Sequence, residues 1–142
     1  MIHFLYDESL SDEHISIIDT DSPRLCRWLH AVAASHGFGI GELNYILCSD
    51  EKELAVNIQF LGHDFYTDVI TFDYTTRERV NGDIFISWDM VQHNAQENGV
   101  EAENELLRIL AHGLLHLTGQ GDKTPETKAQ MTAKENAALA LW

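Results

Sequence analysis

Apolar residues recur along this chain with two periods, and the switches between them mark the elements. Ile2-His3-Phe4-Leu5-Tyr6 predicts a short first strand, and the polar, acidic stretch Asp7 to Asp21 predicts a connection. Ser22-Pro23 reads as a helix start, with Ser as N-cap and Pro at the first helical position. Leu25, Trp28, Leu29, Val32 and Ala33 then follow helical spacing until Gly37, Gly39 and Gly41 end it. From Glu42 to Ser49, Leu43, Tyr45 and Leu47 alternate with Ile46 and Cys48, the pattern of a strand buried on both faces. Ser49-Asp50 caps a second helix. Its predicted buried stripe is Leu54, Ile58 and Leu61, with Val56 and Phe60 beside it and Gly62 as the stop.

After a loop at His63 to Tyr66, the β-branched and aromatic run Thr67 to Tyr74 predicts a strand. A polar connection, Thr75 to Val80, carries Arg77 and Arg79. Asn81-Gly82 is a strong turn signal before a last strand at Asp83 to Trp88. Asp89 to Asn98 predicts a helix ended by Gly99, and Ala102 to Thr118 is the longest helical pattern. Thr124-Pro125 starts a terminal helix that packs through Met131, Ala138, Leu139 and Leu141. There is no internal repeat, low-complexity stretch or linker. The pattern predicts one α+β domain spanning residues 1–142: a small mixed four-stranded sheet with one antiparallel strand, flanked by helices.

Composition leaves that picture standing. The 142 residues, 44% hydrophobic and 23% charged, are enough to bury a core. No apolar run approaches the roughly 18 residues of a membrane span. No basic, apolar leader opens the chain, and Cys26 and Cys48 show no ligand spacing, so the expectation is a cytoplasmic protein with reduced thiols. Charge changes the picture more. The net charge is −14, and nucleic-acid binders usually carry a basic footprint. Attraction for RNA would need a metal cation, a local basic patch or a macromolecular platform.

The chemistry concentrates in Ala111-His112-Gly113-Leu114-Leu115-His116-Leu117-Thr118-Gly119-Gln120-Gly121-Asp122. Two histidines four residues apart on a helix lie one turn apart on one face, so both imidazoles can point at one ion. The run Ile109 to Thr118 is otherwise nearly uncharged, and burying imidazoles there without partners is costly. Gly119 offers the left-handed position that ends a helix and turns the chain back, bringing Asp122 towards the same ion. Two imidazoles and one carboxylate with a fourth position open are what a catalytic metal needs.

Read together with other motifs, this stretch resembles the YbeY family of bacterial ribosomal-RNA maturation factors. The family pattern His-Gly-x-Leu-His-Leu-x-Gly-x-x-His stands here as His112 to Asp122. A second family block stands as Asn57-Ile58-Gln59-Phe60-Leu61-Gly62-His63-Asp64-Phe65-Tyr66-Thr67-Asp68-Val69-Ile70-Thr71-Phe72. Gly82-Asp83-Ile84, Ala95 to Gly99, Met131 and Glu135 match as well, in order along nearly the whole chain. The resemblance implies a zincin-like, YbeY-type fold and a metal-dependent endoribonuclease for single-stranded RNA. It also implies a role in small-subunit ribosomal RNA 3′ end processing and ribosome quality control, with the small ribosomal subunit or its proteins as partner. Oligomeric state stays open.

Two positions depart from the family pattern. Asp122 stands where the third ligand is usually His, an exchange between competent ligands; an alternative alignment puts Lys123 there, and an ammonium cannot ligate. The expected ligands, and catalytic residues, are His112, His116 and Asp122. The expected cofactor is one divalent transition metal: zinc first, with iron, manganese or nickel also suited. Leu61 stands where the family usually has Arg, so either a nearby cation such as Lys123, Arg77 or Arg79 substitutes or activity is reduced. Asp68 and Asp83 are candidates to orient the imidazoles. His63, Asn57 and Asp64 have loop, helix-face and turn-capping readings beside functional ones. Two rivals remain: a non-catalytic ribosome-assembly factor with a structural or decayed metal site, and a metallopeptidase. The second lacks its general base, because Gly113 stands where that motif has Glu.

Overall fold

A computed structural model of the protein describes residues 1–10, 12–63 and 69–142. Four strands, β1 (Ile2–Tyr6), β2 (Gly39–Cys48), β3 (Val69–Asp73) and β4 (Arg79–Ser87), form one sheet in the order β1-β2-β4-β3. β1 and β4 both run parallel to β2, and β3 is antiparallel to β4, so the sheet is mixed with one antiparallel strand, as the pattern implies. The helices are α1 (Ser16–Ser35), α2 (Asp50–Val56), α3 (Trp88–Asn98), α4 (Ala102–Leu117) and α5 (Pro125–Ala140).

The core lies between one face of the sheet and α1, α4 and α5. Leu25, Trp28, Leu29, Val32 and Ala33 of α1 are all buried, as their spacing requires. The same face of the sheet contributes Leu43, Tyr45, Leu47, Ile84 and Ile86. Three contacts fix the helices on it. The Tyr45 hydroxyl donates to the Leu110 carbonyl at 2.8 Å, tying α4 to β2. Trp28 Nε1 donates to the Ala138 carbonyl at 2.8 Å, tying α1 to α5. A Cβ on Gly113 would lie 3.0 Å from two carbons of Ile84, so glycine there lets α4 settle closely on β4. Cys26 and Cys48 are both free thiols, and burial pushes the Cys48 thiol up to about 12.

Four local expectations are corrected. α1 starts at Ser16, within the predicted connection, and is kinked at Asp21, where φ is −118° and ψ 18°. Pro23 lacks the N–H that would continue the ladder, so Ser22-Pro23 begins a second segment rather than the helix. β2 starts at Gly39, so two of the three glycines taken as a helix stop are strand residues. Asn81-Gly82 lies inside β4, and the reversal occurs at Arg77-Glu78, closed by reciprocal backbone bonds between Thr76 and Arg79 of 3.1 and 2.8 Å. Gly82 is needed for proximity instead of a turn: a Cβ there would lie 2.6 Å from the Phe72 carbonyl oxygen and 2.9 Å from Leu117.

The fourth correction is the stripe on the second helix. α2 gives way at Asn57–Leu61 to a wider π-helical turn. Glu53, Val56 and Asn57 face inward, at i, i+3 and i+4, while Ile58, Phe60 and Leu61 are 47%, 61% and 41% exposed. Two stripes competed on this helix, and the one with more apolar residues lost.

Candidate metal centre

The last turns of α4 and the connection to α5 bring three donors together. His112 Nε2 and His116 Nε2 are 2.9 Å apart, with the rings at 88°. Asp122 Oδ2 lies 3.5 Å from the first and 3.3 Å from the second. Helical spacing stacks the imidazoles. Gly119, at φ +100°, then turns the chain, and the Gln120 N–H caps the helix on the Leu115 carbonyl at 3.1 Å. On the far side Thr124 and Thr127 cap α5 reciprocally, so the connection bearing Asp122 is fixed at both ends.

The other ring nitrogens are engaged. His112 Nδ1 lies 2.6 Å from Glu135 Oε2, and His116 Nδ1 lies 3.0 Å from the Gln120 carbonyl oxygen. Both partners are acceptors, so each Nδ1 carries the proton and each Nε2 presents a lone pair. Glu135 is in turn held by Arg108 Nη1 at 2.9 Å, and Arg108 Nη2 donates to Asn136 Oδ1 at 2.9 Å. Burial alone would raise the Glu135 carboxyl, but its bonds to His112 and Arg108 outweigh that and hold it below the ordinary range. Burial, then the neighbouring His112, push His116 below its ordinary value; Asp122 and the Gln120 carbonyl oppose them. The balance favours the neutral imidazole that a metal requires.

The donor set fits an ion. Two imidazole lone pairs and a carboxylate oxygen facing one another repel unless a cation lies between them. Around a tetrahedral zinc with bonds of 2.0–2.1 Å, neighbouring ligands are about 3.3 Å apart. The observed edges of 2.9, 3.3 and 3.5 Å bracket that value. Among the described residues, His112, His116 and Asp122 are the group of three able to hold a metal.

A cleft of about 350 Å³ opens beside the donors, lined by Asn57, Leu61, His63, Thr71, His116 and Lys123 among others. A larger cavity, about 520 Å³, lies elsewhere, between the α3–α4 connection and the end of α5. Size therefore does not locate the chemistry here; the donors do.

The sequence expectations divide as follows. His112, His116 and Asp122 converge. Lys123 lies on the cleft wall, whereas Arg77 and Arg79 sit at the β3–β4 turn, where Arg79 Nη1 donates to the Ile40 carbonyl at 3.4 Å. Asn57 is buried at the cleft, and His63 is an exposed residue on its rim. Asp83 is not an orienter: its Oδ1 accepts from Asn44 Nδ2 at 3.0 Å. Asp64 and Asp68 lie outside the described residues. The orienting roles of Glu135 and Arg108 were missed. The spacing held the signal, since Arg108 precedes His112 by four residues, and Glu135 shares a helical stripe with the buried Met131 and Ala138.

Comparison with known proteins settles the family. The family profile described as Endoribonuclease YbeY matches residues 11–142. The chain belongs to this family. Endoribonuclease YbeY of Bacteroides thetaiotaomicron is 46% identical over 129 residues, covering 91% of this chain and 94% of that protein. The YbeY endoribonuclease of Cytophaga hutchinsonii is 53% identical over 115 residues, covering 80% of each chain. Among solved structures, the solution structure of TM1509 from Thermotoga maritima matches with a TM-score of 0.67 at 29% identity. It covers 99% of this chain and 88% of that one. These YbeY relatives cover 91% and 80% of this chain, so the resemblance extends well beyond the histidine motif.

Proposed function

We propose that this protein is a metal-dependent endoribonuclease that cuts single-stranded RNA. Its role in this reading is maturation of ribosomal RNA at the 3′ end of the small-subunit species, and ribosome quality control. Residues 1–142 act as one domain in the cytoplasm, recruited by the small ribosomal subunit or its proteins. One divalent transition metal, zinc first, is held by His112, His116 and Asp122. No helix among the described residues is long and apolar enough to cross a membrane.

Family membership supports this reading, and one observation carries it. Three donors converge with both imidazoles oriented, and the group includes no fourth protein donor among the described residues. A structural zinc closes its shell with four protein ligands, whereas three leave a position for substrate or water. An ion held there supplies Lewis acidity towards a phosphate oxygen and acidifies water. The chain's own groups do the rest. Glu135 and the Gln120 carbonyl keep the ring protons on Nδ1, so both Nε2 atoms face the ion. Arg108 holds the Glu135 carboxylate charged and in place. Asp122 adds a negative charge to the donor set and tempers its acidifying power relative to three neutral imidazoles.

A non-catalytic assembly factor is the second reading, favoured by the exposed apolar Leu61 on the cleft wall and the net charge of −14. A metallopeptidase has less support. Gly113, which stands where that motif has its general base Glu, packs closely against Ile84.

The test is metal content of untagged protein, wild type beside Asp122→Ala, followed by cleavage of single-stranded RNA. One tightly held metal per chain, lost in the variant, with metal-dependent cleavage, is the expected result. Metal without cleavage would favour the assembly factor. Metal held equally by Asp122→Ala would refute the ligand set.

A further inference from the structure

Among the described residues, one side of the cleft beside the donors carries no Lys or Arg. Its wall across from the α4–α5 connection carries Leu61, exposed and uncharged. On the connection side stands Lys123, the only Lys or Arg among the described residues that line the cleft. The chain has nine Lys and Arg against 23 Asp and Glu, so positive charge is scarce in it. Arg108 is bound to Glu135 and Asn136, and Arg24 lies 3.7 Å from the Trp142 ring centre. Lys123, in contrast, is exposed and makes no ion pair or side-chain hydrogen bond among the described residues. Its backbone is held all the same. It lies between Asp122, which faces the imidazoles, and Thr124, which caps α5. The ammonium therefore swings on a four-carbon stem from a fixed point at the edge of the donor triangle.

We infer that Lys123 is the phosphate-binding residue of the cleft: its ammonium grips a phosphodiester of a single-stranded polynucleotide next to His112, His116 and Asp122, opposite the apolar wall at Leu61. The inference rests on the nuclease reading for its substrate class. Physically, an anionic polymer approaching a strongly acidic protein is repelled until it meets local positive charge, and here Lys123 supplies it from the protein itself. A lysine acts as a point charge and needs no fixed fork geometry, so a mobile side chain suits a flexible strand. Charge that grows on the phosphate during cleavage is stabilised by the same ammonium.

The experiment uses zinc-loaded protein and a fluorescein-labelled, unstructured oligoribonucleotide, with binding read by stopped-flow anisotropy before turnover across a range of salt. Wild type, Lys123→Ala, Lys123→Arg and Arg77→Ala are compared, and metal content is measured for each. The expected result is weaker binding by Lys123→Ala, with a salt slope shallower by about 0.7, the value for one single-strand phosphate contact. Lys123→Arg should keep the wild-type slope, and Arg77→Ala should as well, although it removes the same charge. Metal content should be equal in all four. The inference is overturned by a wild-type slope in Lys123→Ala, by an equal loss in Arg77→Ala, or by wild-type protein that does not bind RNA. Wild-type protein that binds RNA but never cuts it would sink the nuclease reading, while the slopes would still judge Lys123.

Discussion

On the α4–α5 side of the cleft, both imidazoles are gripped at Nδ1, one by Glu135 and one by the Gln120 carbonyl. Across from it, on the π-helical turn, Ile58, Phe60 and Leu61 stand 47%, 61% and 41% exposed. One wall is built of hydrogen bonds with fixed directions; the other presents exposed apolar side chains. The contrast matches two tasks. A metal needs donors held to within about half an ångström by an outer layer of partners. A flexible strand meets the protein through charge and apolar faces, where tolerance is an advantage.

Gly82 of β4 lies where β3 and the end of α4 close together, so it offers the strongest way to disturb the frame of the site. Gly82→Ala would set a Cβ against the Phe72 carbonyl and Leu117, forcing β3 and the end of α4 apart. We expect a loss of roughly 1–3 kcal/mol, as for overpacked sites, read as a lower urea midpoint, together with weaker metal binding. Intact stability would mean the close approach is not structural.

Glu135→Gln tests the rigid wall alone. Metal affinity should fall by roughly 10–100-fold, the usual cost of losing an outer partner, as measured by competition with a chromogenic chelator. Binding of RNA to metal-saturated variant should be unchanged. A wild-type affinity would remove Glu135 from the site.

Acid should act on the same wall. His116 is held below its ordinary 6.5, so in metal-free protein the unfolded chain takes up that proton first. Its contribution to stability is complete above pH 6.5 and is lost as pH falls below it. Glu135, lowered from 4.5, adds a second loss as pH falls through its depressed value. Urea midpoints of the metal-free protein should therefore fall steadily on acidification from pH 6.5. A flat profile would contradict both shifts.

The smallest effect on stability is expected from Leu61→Arg, which gives the open wall a charge. Stability should stay within about 0.5 kcal/mol, because the residue is exposed. Metal affinity should not move, and the salt slope for RNA should steepen by about 0.7. Altered metal affinity would show that the walls communicate.

The two walls also differ in how far the sequence reveals them. On the α4–α5 side, the i, i+4 histidines, the Gly119 turn and the Thr124-Pro125 start lie in one continuous stretch, so local rules suffice to assemble His112, His116 and Asp122. Glu135 escaped because its partner is 23 residues away, and only the packing of α5 on α4 joins them. On the other side, the apolar count favoured Leu54, Ile58 and Leu61 over Glu53, Val56 and Asn57, and the π-helical turn reversed that preference. Asn81-Gly82 was misread for a related reason. A dipeptide that permits a turn also permits a strand to pass close beneath a helix, and the deciding neighbours, Phe72 and Leu117, are distant in sequence.

Among the described residues, the donors and orienters lie between Arg108 and Asn136, in two helices and the connection between them. Grafted onto another scaffold that supports α4 and α5 at the same spacing, a helical hairpin of that kind should carry its metal along. Within this protein the same confinement separates two kinds of inheritance. Changes at Leu61 and its exposed neighbours Ile58 and Phe60 can alter how a strand is met, while the inorganic chemistry is passed on intact.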